Sequence, residues 1–160
     1  MAQAVTVYRW DDPGAPQVVD GRPSEYLNIL KKCLVEGYGS KTGLGWSVTS
    51  EDEVSPLLVV KNNVSVGGSG GYAMFSSPDN AAGQTITCRG LLDFFDRDNF
   101  SRSSPFFAMS TTLSAAALLK NWILIGTGKA FYFFSYNQMT MVANYTNTQY
   151  VMSFFMGDID

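Results

Sequence analysis

The chain has 160 residues, 46% hydrophobic and 14% aromatic, with 16% charged and a formal net charge of -3. That length suits one domain spanning 1–160 with a core of useful size, and so few charges leave neutral or apolar surface for another subunit to cover. Eleven scattered Lys and Arg give no electrostatic footprint for nucleic acid, and the absence of histidine removes Ser-His-Asp and Cys-His catalysis, His-ligated zinc and the commonest general base near neutral pH.

The first run, AVTVYRWDDPGAP, reads as a strand stopped by an Asp-Asp-Pro-Gly turn. In RPSEYLNILKKCLVEG, Leu27, Leu30 and Leu34 fall on one face with Tyr26, Ile29 and Cys33, which predicts an amphipathic helix over roughly 24 to 36. Ser24 is the expected cap, Glu25 suits the positive end, and Gly37 supplies a left-handed stop. The stretch CLVEGYGSKTGLGW then reads as a corner that brings Trp46 against the helix.

Beyond Trp46 the chain breaks into short apolar runs. PLLVVKN, VSVGG, GYAMFS, QTITCRG, NWILIG, KAFYFFS and QYVMSFF are predicted strands. VGGSGGY, between two of them, is expected to be a mobile loop, and LSAAALLK, 113 to 120, a short helix. ILIGTGKAFYF is the clearest hairpin. An early helix followed by many strands is an α+β pattern: one N-terminal amphipathic helix packed on a predominantly antiparallel sheet or small β-sandwich.

GTGKA lacks the spacing, the Ser or Thr and the following helix of a phosphate loop, so a hairpin turn is the better reading. Cys33 and Cys88 read as small buried hydrophobes. Asp93, Asp96 and Asp98 around Arg97 are carboxylates that could serve sugars, with solvated turns and local ion pairs as the plainer account, and Asp158 near the end reads the same way. FYFFSY and SFF alternate, so half their rings should enter a core and the rest need a second layer or a neighbouring chain. Neither a secretion leader nor a membrane-spanning run is expected.

VYRWDDPGAP, CLVEGYGSKTGLGW, WILIGTGKAFYFF and FFMGDID, taken in that order, resemble a family of tailed-bacteriophage virion structural proteins. The hairpin turn departs from the family in having Gly126-Thr127-Gly128 where an acidic turn is expected, and the middle, 50 to 110, is similar only loosely. The resemblance implies a non-enzymatic particle component with no catalytic, cofactor or metal residues to transfer. It would be assembled in the host cytoplasm, with copies of itself and other virion proteins, major capsid or tail, as partners. Nucleic acid, membrane and small-molecule substrates are not expected. The expected role is a capsid decoration or cement subunit or another minor component; the alternative is a tail or baseplate component that binds or hydrolyses host surface glycans. Candidate contact residues are Tyr38 and Trp46 in the corner loop, Gly67, Gly68, Gly70 and Gly71, and Tyr150, Met152 and Phe154 of the terminal strand.

Overall fold

The computed structural model of the chain describes residues 4–110, 119–136 and 151–158. In chain order the elements are β1 (Thr6–Arg9), α1 (Pro23–Lys31, continued by a wider π turn over Lys32–Glu36), β2 (Ser47–Asp52), β3 (Leu57–Lys61), β4 (Tyr72–Ser76), β5 (Thr85–Phe94), β6 (Phe100–Ser103), β7 (Phe107–Ser110), β8 (Asn121–Gly126), β9 (Ala130–Tyr136) and β10 (Val151–Gly157). A four-stranded antiparallel sheet runs β1-β8-β9-β10, and a six-stranded one runs β2-β3-β4-β5-β6 with β7 also paired to β5. This is an α+β fold dominated by strands.

Period-two alternation decides what is buried. Tyr8, Trp122, Leu124, Phe131, Phe133 and Phe154 line the inner face of the four-stranded sheet. Leu58, Val60, Phe75, Ile86, Cys88 and Met109 line the inner face of the other, and both sets join one cluster with Tyr26, Ile29, Leu30, Cys33 and Leu34 of the helical segment. The Phe154 ring ties the layers together, lying 5.0 Å from Phe107 and 6.1 Å from Phe75 on one sheet and 5.4 Å from Phe133 on the other. α1 borders both sheets: it packs on β3, and the Tyr26 hydroxyl donates to the Leu119 carbonyl just before β8.

The helix starts one residue earlier than predicted, with Arg22 as the capping position and Pro23 in the first turn. Ser24 is therefore inside the helix; its own amide is capped by the Asn80 side chain at 3.0 Å. Glu25 reaches back instead, accepting the amides of Val19, Asp20, Gly21 and Arg22 at 2.8–3.1 Å. Gly37 ends the π turn by donating to the Lys32 carbonyl at 2.6 Å, with φ +82 and ψ 174. This is a positive-φ extended stop, not the left-handed helical one expected, and it is open to glycine because no Cβ obstructs it.

The VSVGG run is not a strand: Val64–Val66 form a 3-10 turn, because the Asn63 side chain takes the Ser65 amide at 3.0 Å. The predicted helix at 113–120 falls mostly outside the described residues.

The outer faces of the two sheets differ. In the six-stranded sheet Leu57 pairs with Ser76, and Ser76 with Thr87, so the start of β3 lies far along the sheet from the Phe94 end of β5. Yet Arg97, at the tip of the β5–β6 hairpin, donates to the carbonyls of Ser55 and Pro56. The hairpin therefore folds back over its own sheet. Beneath it Leu57, Val59, Met74 and Leu91 form a second buried cluster against Phe94 and Phe100. On the four-stranded sheet, Val7, Ile125, Tyr132 and Phe155 stand in one cross-strand row. None of the four is buried.

Candidate functional site

The corner loop after the helix is anchored at both ends. Leu44 donates to the Cys33 carbonyl and Trp46 to that of Leu34, so the loop runs back along the helix. Tyr38 donates to Asp12 Oδ2 at 2.8 Å and takes the Arg9 amide at 3.1 Å. Lys41 Nζ reaches the same carboxylate oxygen at 2.6 Å and the Val7 carbonyl at 2.7 Å. Burial pushes the Asp12 carboxyl up, but the bonds from Lys41, Tyr38 and the Arg9 amide outweigh it and hold the group below its ordinary range. Burial also raises the Tyr8 hydroxyl to about 12, and it donates to the Thr42 carbonyl at 2.5 Å. The loop thus closes the edge of β1.

Trp46 is buried, its Nε1 donating to the Thr127 carbonyl at 3.0 Å and its ring edge-on to Phe131. Tyr38 and Phe154 are buried as well, so these three side chains hold the fold and offer no outward contact. Met152 is half-buried against the core, and Tyr150 lies outside the described residues. Of the alternating aromatic residues on β9 and β10, it is Tyr132, Phe134 and Phe155, and not Phe154, that point outward from the four-stranded sheet. The Tyr132 ring lies 4.9 Å from Phe155 and stacks at 6.4 Å on Phe134. Tyr132 is 51% exposed and Val7 43%, with Ile125 half-buried between them and Ile123 half-buried alongside.

The glycine-rich loop is pinned and not loose. Gly67 donates to the Val64 carbonyl, Gly68 to that of Asn63, Gly70 to Asn62 Oδ1 at 2.7 Å and Gly71 to Ser69 Oγ. Asp158 holds its crest, accepting from the Ser69 amide at 2.7 Å, Ser69 Oγ at 2.6 Å and Asn62 Nδ2 at 2.8 Å. Asn62 is itself buried. Ser69 and Asp158 stand 89 positions apart, so no local pattern could have joined them.

The remaining sequence motifs are engaged internally. In GTGKA the Thr127 amide donates to the Ala130 carbonyl at 2.8 Å and the Lys129 amide to Thr127 Oγ1 at 3.1 Å, as a hairpin turn requires. Both cysteines are buried, and burial raises both thiols. The Asp93 carboxylate accepts from Ser101 at 2.7 Å and from Arg102 at 3.0 Å, which together hold it below its usual range. Asp96 Oδ1 takes the amides of Asp98 and Asn99 and shapes the hairpin tip. Among the described residues no group of His, Cys, Asp and Glu has the makings of a metal centre.

Among the described residues, the row Val7, Ile125, Tyr132 and Phe155 is an in-register apolar strip across all four strands of one sheet, with Ile123 and Phe134 beside it and Arg9, paired to Asp11 at 2.7 Å, at its rim. Comparison with protein-family models, curated proteins and solved structures finds no match for this chain.

Proposed function

We propose that the chain is a non-enzymatic structural subunit of a tailed-bacteriophage particle, docking through the outer face of its four-stranded sheet onto neighbouring virion subunits. The observation that carries this reading is the in-register apolar row on that face. Apolar area left in water forgoes about 25 cal/mol per Å², and an aromatic centre with a charged rim is the usual anatomy of a protein interface. The ordered sequence blocks supply the phage context, and the internal engagement of Asp93 and Asp96 favours contact over catalysis.

Within the particle we assign the subunit to the shell, as a decorating or cementing component. Particles of the encoding phage prepared without this chain should take it up on addition, saturably and at a copy number of shell scale. Failure of the folded chain to bind such particles would overturn the reading. Uptake at a copy number near that of a single ring would move it from shell to tail.

A further inference from the structure

Three of the five arginines meet an aspartate: Arg9 with Asp11, Arg22 with Asp20 and Arg102 with Asp93. The other two, Arg89 and Arg97, pair with no carboxylate among the described residues, and both line one groove of about 360 Å³ on the side of the sandwich opposite the apolar row. Each guanidinium is held in place by something other than a counter-charge. Arg89 lies against two phenyl rings, 5.4 Å from the Phe100 centroid and 4.9 Å from that of Phe106, with no described protein atom accepting from its nitrogens. Arg97 spends one terminal nitrogen on the Ser55 and Pro56 carbonyls, leaving its remaining donors without a described acceptor. Ser76 and Thr87, which face each other across β4 and β5, add two hydroxyls to the same wall.

We propose that this groove binds the carboxylate of an acidic sugar residue. A planar guanidinium presents paired donors that match a carboxylate, and stacking on a ring fixes the fork in advance, so less freedom is lost on binding. The serine and threonine hydroxyls suit sugar hydroxyls, and the ring of Phe100, which lines the groove, suits the C–H face of a pyranose. Asp98, at the groove's edge, can accept from a hydroxyl but opposes a bare anion. That combination favours a polar organic body carrying one negative group over a simple inorganic anion. The groove's size falls in the range of small-molecule sites.

The test is a titration of the full chain followed by amide and arginine side-chain NMR signals, with glucuronate as probe and glucose and inorganic phosphate as controls. Glucuronate should move the signals of Arg89, Arg97, Ser76 and Thr87 saturably, and added salt should weaken the effect, while glucose should leave them in place. Arg89→Gln should weaken glucuronate by about tenfold or more, and Arg89→Lys, which keeps the charge but loses the fork, by nearly as much. Arg97 also fastens the hairpin, so Arg89 is the decisive position. Absence of a saturable response to glucuronate, an equal or stronger response to phosphate, or unchanged binding by Arg89→Gln would each overturn the proposal. Particle docking uses the opposite face, so either result can fail without the other.

Discussion

At the scale of single residues, Asp12 acts as a joint between two segments of the chain. Its one carboxylate oxygen gathers the Tyr38 hydroxyl, the Lys41 ammonium and the Arg9 amide, joining the turn after β1 to the corner loop. The group sits below its ordinary value in the fold, so its contribution is present at pH above the unfolded value and disappears as pH falls through the folded one. The difference in urea midpoint between the native chain and Asp12→Asn should therefore be full near neutrality and shrink below about pH 4. A difference that stayed constant into strong acid would mean that the carboxylate charge has no part in the joint.

At the scale of elements, the glycine-rich loop between β3 and β4 draws its order from the far end of the chain. Asp158→Ala removes three acceptor contacts from Ser69 and Asn62. We expect a loss of about 1–3 kcal/mol in denaturant unfolding, with faster amide exchange confined first to residues 62–71. Exchange rising equally throughout the chain would count against a local role. The same loop marks the border of what the sequence discloses. The helix and strands such as NWILIG and AFYFFS are legible because their apolar periods match their geometry, and LLVVK because a short unbroken apolar run suits a strand covered on both faces. VSVGG has the alternation of a strand but loses it to a side chain two residues upstream of Ser65. β2 and β6, SVTSED and FSRS, carry polar sequences and exist because neighbours pair with them. Period two says that half of the aromatic residues turn inward without saying which half. Phe154, read as a contact, is core, as are Tyr38 and Trp46 of the corner loop, where no period applies. Arg89 and Arg97 share a groove only because a hairpin folds over, which no spacing encodes.

At the scale of the whole molecule, the two outer faces should respond differently to charge. Tyr132→Asp places one carboxylate at a position that is 51% exposed, so the melting temperature should move by no more than a few degrees. Binding to particles should be lost; retained binding would shift the docking surface elsewhere. The six-stranded sheet cannot be altered so cheaply, because Leu57, Val59, Met74 and Leu91 lie under the β5–β6 hairpin. That fold-back seals Leu57, Val59, Met74 and Leu91 with the chain's own hairpin, while the row Val7, Ile125, Tyr132 and Phe155 stays open. A hairpin that lifted away would uncover a second apolar face, so the β5–β6 turn doubles as a guard against sheet-to-sheet aggregation.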